Sequence, residues 1–121
     1  FNYSKIVLEG NKQISNKIKN NIDYLENSSS NYSLIINSKE QKSVSSKNEL
    51  GNPEVFNMYL EVNVKIFEND NLVKEKVFAE SKSYNNTSSQ FKLKQREENM
   101  SENLVKKVLK NLRLFLKNIK E

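Results

Sequence analysis

The chain has no histidine and no cysteine, and this double absence excludes a wide range of chemistry. Without imidazole or thiol there is no side chain of the usual kind for general-base catalysis near neutral pH. There is also no thiolate nucleophile, no disulfide, and no common zinc or iron ligand set. A chain free of cysteine is silent about redox compartment. No apolar run is long enough to span a bilayer, and the opening residues carry no signal-peptide pattern. The chain begins at Phe1 rather than Met, so something upstream is expected to have been cut away, which leaves room for a missing anchor. One proline and two glycines in 121 residues fit one compact domain spanning 1–121, with no room for a second core.

The hydrophobic share is 36% against 29% charged, which is polar for a folded domain, yet the apolar residues are periodic rather than sparse. Charge is uneven. Residues 92–121 hold nine Lys or Arg against four Glu, and residues 1–91 balance at eleven against eleven, so the net charge of +5 belongs to the C-terminal segment. Lysine greatly outnumbers arginine and asparagine is abundant, a bias that scatters Asn-x-Ser/Thr triplets such as Asn31-Tyr32-Ser33 without glycosylation meaning.

The last third reads as a helix from about Glu97 to Lys120. Met100, Leu104, Val105, Val108, Leu109, Leu112, Phe115, Leu116 and Ile119 follow the three-and-four spacing of one broad face, with Leu114 off it. Glu97, Glu98 and Glu102 at its expected start and lysines at its end would complement the helix dipole. At the front, Tyr3 to Glu9 reads as a strand with Ile6 and Leu8 on one face and Val7 on the other. Gly10-Asn11 breaks it and caps a helix running to about Glu26 on a narrow stripe of Ile14, Ile18, Ile22 and Leu25, which Asn27 to Ser30 then end.

Between the helices lie three strands in meander. Tyr32, Leu34 and Ile36 begin the first, which runs towards Val44, and Gly51-Asn52-Pro53 turns the chain back. Met58, Leu60, Val62, Val64 and Ile66 alternate with polar residues in the clearest strand. After a tight turn at Glu68 to Asn71, the strand to Tyr84 is expected to point Val77, Ala79 and Ser81 inward and Phe78, Glu80, Lys82 and Tyr84 outward. One strongly apolar sheet face and two striped helices predict an α+β two-layer sandwich of order β-α-β-β-β-α. It has a four-stranded mixed sheet, both helices on one face, and the first strand parallel to its neighbour through a right-handed crossover. The reverse face would carry Tyr59, Phe67, Phe78 and Tyr84 with Val7 and Ile35. These aromatics are either ordinary cross-strand pairs or, if clustered, a partner surface.

This order, the opening Ile6 to Gly10 before an Ile/Leu-striped helix, the run Ser83-Tyr84-Asn85, Phe91, Glu97-Glu98 and the closing Leu104, Val108, Leu112, Leu116 spacing together resemble the LPS-assembly lipoproteins (LptE type) of Gram-negative bacteria, in their alphaproteobacterial form. The likeness covers nearly the whole chain, and Ser83 to Glu98 is its distinctive part. The lipidated Cys of that family is absent. The resemblance implies a non-enzymatic component of the lipopolysaccharide export machinery, lipid-anchored in its full length on the periplasmic side of the outer membrane. It would plug and help assemble a large outer-membrane β-barrel partner and contact lipopolysaccharide, with no cofactor and no nucleic acid. A plug needs a rigid body with a polar skin, because the lumen of such a barrel is polar. Lipopolysaccharide, with phosphates and acyl chains, would suit Lys82, Lys92, Lys94 and Arg96 around Tyr84 and Phe91; solvated loop charges are the plainer alternative for each.

Three rival readings arise from the residues. A basic α+β nucleic-acid-binding module fits the pI of about 9.3, but arginine is scarce, no Gly-rich clamp occurs and no strand carries the ribonucleoprotein aromatic pattern. An enzyme would need more than Glu98 and Glu102 one turn apart, and no nucleophile elbow surrounds the serines. A membrane-surface role for the last helix fits its basic polar face, but the sheet needs the same apolar stripe as cover.

Overall fold

The computed structural model describes residues 3–22 and 30–119 and has the elements β1 (Lys5–Gly10), α1 (Lys12–Asn21), β2 (Tyr32–Lys47), β3 (Pro53–Glu68), β4 (Asn71–Asn85) and α2 (Gln90–Lys117). They form one mixed sheet in the order β1-β2-β3-β4. β1 runs parallel to β2, with Ile6 opposite Leu34 and Leu8 opposite Ile36, and the other two pairings are antiparallel. This is the predicted α+β architecture.

Both helices lie on the apolar face. Leu34 and Ile36 of β2, and Leu60, Val62, Val64 and Ile66 of β3, are buried together with Ile14 and Ile18 of α1 and Leu104, Val108, Leu112 and Leu116 of α2. Alternation explains β3: its even-numbered residues from Phe56 to Ile66 are all buried while the odd ones between them are partly exposed. α1 is locked to the sheet by Ser15, whose buried hydroxyl donates to the Glu9 carbonyl at 3.0 Å and shares a hydrogen bond with the Ser38 hydroxyl at 2.8 Å. The helices are tied to each other by Arg113 of α2, which donates from Nε and Nη2 to the Asn21 carbonyl at the end of α1. That carbonyl belongs to the last turn, where a helix leaves acceptors unsatisfied.

Four expectations change. First, α1 is shorter than predicted. Asn11 does cap it, accepting from the Ile14 N–H, but the backbone turns extended at Ile22 (ψ 118°) directly after two asparagines, residues that favour helix ends over interiors. Leu25, Glu26 and the segment 27–29 expected to close it, like Lys120 at the other end, lie outside the described residues. Second, α2 begins seven residues before Glu97, at Gln90, with Ser89 as its cap accepting from the Lys92 N–H at 3.2 Å. Third, the acids therefore do not occupy the helix start: the first turn holds none, so Glu97, Glu98 and Glu102 are not explained by the dipole.

The fourth change is in β4. Phe78 and Tyr84, expected on the outer face, are buried under α2, whereas Val77 and Ala79 are exposed. The cause is a bulge. The Asn69-Asp70 turn, with φ of 50° and 68°, pairs Glu68 with Asn71 and Phe67 with Leu72, but Ile66 then faces Lys74 instead of Val73. One extra residue in β4 shifts the register by one, and a one-residue shift turns every later side chain to the other face. Phe78 packs edge-on against Phe115 of α2, ring centres 5.7 Å apart, and Tyr84 lies against Phe56 at 5.6 Å.

Candidate functional site

β2 and β3 are much longer than β1, so residues 39–47 of β2 run on past the end of the first strand. This overhang ends in the turn at 48–52, where the Asn48 side chain accepts from the Leu50 and Asn52 amides. The loop from β4 to α2 folds against it: the Asn86 amide donates to the Glu54 carbonyl, and the Asn86 side chain to that of Pro53, at 2.8 and 2.9 Å. The overhang, that loop and the first turns of α2 thus form one end of the molecule.

At this end two apolar side chains stand in solvent, Leu50 (86% exposed) and Phe91 (71%). Lys47, Glu49 and Glu54 stand around Leu50, and Lys92 follows Phe91 in the first turn of α2. Lys82 is exposed on β4 nearby, opposite Met58. The four basic residues singled out from sequence have separate roles. Arg96 is committed to structure: its Nη1 donates to the Asn85 carbonyl at 2.9 Å, with Asn86 at 3.5 Å, which holds the loop to the helix. Lys94 lines a groove among carboxylates. Lys82 and Lys92 are left exposed, and among the described residues neither has an acidic partner.

The groove, of about 520 Å³, opens where α1 and α2 flank the overhang, with Glu40, Lys42 and Met58 as its floor and Lys94, Glu97 and Glu98 along one wall. Four of its polar side chains, Glu40, Lys42, Glu97 and Ser101, are bonded within the groove wall. Glu97 accepts from the Tyr84 hydroxyl and pairs with Lys42 Nζ at 2.8 Å; Lys42 also lies 4.1 Å from the centre of the Phe56 ring, and Ser101 donates to Glu40 at 2.7 Å. Partial burial pushes the Glu97 carboxyl upward, but the hydrogen bonds from Lys42 and Tyr84 and the lysine charge outweigh it and leave the pKa below the ordinary value. Burial, then the bond to Glu97, pushes the Tyr84 phenol well above the ordinary value of 10.0. An acid and a base already neutralised in this way form a brace that fastens α2 to the sheet. Among the described residues no cluster of acids is arranged to hold a metal ion.

The bare face of the sheet keeps only two of the four expected aromatics, Tyr59 and Phe67, since Phe78 and Tyr84 are in the core. Tyr59 donates to Glu61 at 3.1 Å, and its neighbours on that face are Asn57, Asn63, Ser81 and Ser83. Around Tyr59 the face is therefore small and polar, while Val7, Ile35, Phe67, Leu72 and Val77 share its other end with Lys65 and Glu75. No sequence signal marked Leu50, because a lone leucine in a turn has no periodicity to betray it.

The arrangement defines an α+β sandwich with one sheet face free of helices and a loop end that exposes Leu50 and Phe91; no described helix is long and apolar enough to cross a membrane. That architecture is shared with bacterial lipoproteins. It matches rare lipoprotein B from Shewanella oneidensis with a TM-score of 0.66 at 12% identity, covering 94% of this chain and 97% of that one. A lipoprotein from Caulobacter crescentus matches with a TM-score of 0.68 at 12% identity over 94% and 86% of the two chains, and a minor lipoprotein from Acinetobacter baumannii with 0.65 at 14% over 92% and 88%. The fold is thus the LptE-type fold of rare lipoprotein B and minor lipoprotein structures, as the sequence resemblance implied. No family model and no curated protein matches the chain by sequence.

Proposed function

We propose that the chain is the folded domain of an outer-membrane lipoprotein that serves lipopolysaccharide assembly without catalysing a reaction. It faces the periplasm, is anchored by a lipid on an upstream residue, and sits as a plug in a large β-barrel partner. The observation that carries this reading is the end-to-end match of the fold to bacterial lipoproteins. Physical features support it. The body is braced at both helices by buried or charge-assisted bonds, and the uncovered sheet face is polar around Tyr59, Asn57, Asn63, Ser81 and Ser83, as suits a water-filled barrel lumen.

The same reading gives the loop end a role towards lipopolysaccharide. Lys82 and Lys92 supply ammonium donors for phosphate, and Leu50 and Phe91 supply apolar contact for acyl chains. Arg96 and Lys94 act indirectly, by holding the loop and closing the groove. The test is expression of the full-length precursor in its own envelope, followed by mild detergent extraction and affinity purification. Recovery of a stoichiometric outer-membrane β-barrel supports the proposal; recovery of the chain alone, with the barrel present in the same extract, refutes it. Purified lipopolysaccharide should bind the wild-type chain about tenfold more tightly than the Lys82→Glu/Lys92→Glu variant, since each phosphate contact is charge-assisted. Equal affinity would remove the loop end from that role.

A further inference from the structure

Among the described residues, four of the seven most exposed large apolar side chains, Leu72, Val73, Val77 and Leu114, belong to β4 and the stretch of α2 beside it; Leu72 and Val77, opposite Phe67 and Asn63, face the bare side of this edge, and Leu114 stands on its helix side. β4 is an edge strand over its full length, from Asn71 to Asn85. In an antiparallel edge strand every second residue directs its N–H and C=O away from its neighbour, leaving a ladder half made. Between that ladder and α2 run two clefts in line. One, of about 420 Å³, lies between residues 76–79 and Asn111, Leu114 and Asn118. The other, of about 350 Å³, continues past Val73 and Lys74 to Ile119. A half-made ladder flanked by a helix and a cleft of mixed polarity is the geometry into which an extended peptide adds as a further strand, with backbone bonds to the edge and alternate side chains in the cleft.

Charge selects the occupant. Lys74 and Lys76 line the clefts, where among the described residues the one lining carboxylate is Glu68 at one end. Lys110 and Lys117 stand one helical turn to either side of Leu114 on α2, both exposed. Glu75 of β4 is turned to the bare face, where it accepts from Asn63. Lys76 lies 5.5 and 5.8 Å from the Phe78 and Phe115 ring centres, so its charge is held over the cleft. A second copy of this strand would bring lysine row against lysine row, which disfavours self-pairing. The geometry points to the β4–α2 seam as a docking site for an extended segment of a partner protein that alternates apolar and acidic residues, its acids turned to Lys74 and Lys76 on the helix side and its apolar residues to Leu72 and Val77 on the bare side. This site is separate from the loop end and stands whether or not the chain serves a barrel.

The probe is a capped octapeptide alternating valine and glutamate, with the valine-lysine counterpart as control, added to the 121-residue chain at neutral pH. The acidic peptide is expected to bind about tenfold more tightly than the basic one and to slow amide exchange at alternate residues of β4 alone. Leu114→Glu should weaken it about tenfold with an unchanged melting point, since the side chain is 54% exposed. Equal binding of both peptides, no binding at millimolar concentration, or protection elsewhere than on β4 would overturn the inference. Slowed exchange on β4 from concentration-dependent dimers of the chain itself would overturn it too, in favour of a second copy.

Discussion

Truncation of Phe78 and of Val77, adjacent in β4, should have opposite consequences from those that simple alternation through the hairpin implies. Phe78 is 5% exposed, opposite Val62 and edge-on to Phe115, while Val77 is 48% exposed. Phe-to-Ala changes in cores cost about 3–5 kcal/mol. At the margin of the sheet, where α2 can settle into the gap, about 3 kcal/mol is expected. Removing two methyls from half-exposed Val77 should cost about 0.5 kcal/mol. For a chain of this length the entropy of unfolding near the midpoint is roughly 0.25 kcal/mol/K, so Phe78→Ala should lower Tm by about 12 °C and Val77→Ala by about 2 °C. Calorimetry at neutral pH, with urea midpoints alongside, reads both. If Val77→Ala proves the costlier change, the bulge opposite Ile66 does not exist in solution and β4 presents its other side to the core.

Tyr84→Phe should destabilise by about 1–2 kcal/mol, as loss of a hydrogen bond to a carboxylate does, measured as a urea midpoint at pH 8. Because burial and Glu97 raise the Tyr84 pKa in the fold above its unfolded value of 10.0, that stabilisation is complete below pH 10 and is lost as pH rises beyond it. The wild type should therefore lose more stability than Tyr84→Phe between pH 9 and 11, and parallel curves would dismiss the Tyr84–Glu97 bond. Glu97, whose pKa is lowered in the fold, works in the opposite sense. Its stabilisation is present above about pH 4.5 and disappears as pH falls below, so Glu97→Gln should flatten the acid limb of a stability–pH profile. Gly10 has φ +72°, and a Cβ there would run into the Ser38 carbonyl; Gly10→Ala should cost about 2–4 kcal/mol, and a thermal scan showing no loss would mean that the β1–α1 corner can rearrange freely.

Much of this architecture was legible because two signals were unambiguous. In β3 every inward position from Met58 to Ile66 is apolar while the outward ones are mixed, so only one face could be core. In α2 the stripe from Leu104 to Leu116 is wide enough to require a sheet beneath it. β4 misled because Val77 and Ala79 on one side and Phe78 and Tyr84 on the other offer apolar residues at both parities. The choice between them is made by a bulge at Val73, in a strand with no glycine to announce it. The start of α2 was hidden for a related reason. Between Gln90 and Met100 only Phe91 and Leu93 are apolar, and only Leu93 is buried, so periodicity is silent there and the Ser89 cap is the lone cue. The basic residues were picked by proximity in sequence, which cannot tell Arg96, spent on the Asn85 carbonyl, from Lys92, left to solvent.

The proposal that the domain meets a large barrel through its bare sheet face and loop end is tested most directly by photocrosslinking in the native envelope, with a crosslinking amino acid placed singly at Tyr59, Leu50 and Lys106. Tyr59 and Leu50 are expected to yield a covalent adduct with one outer-membrane β-barrel, since both project from the surfaces free of helix cover. Adducts from the outer side of α2 at Lys106, with none from Tyr59 or Leu50, would contradict the account.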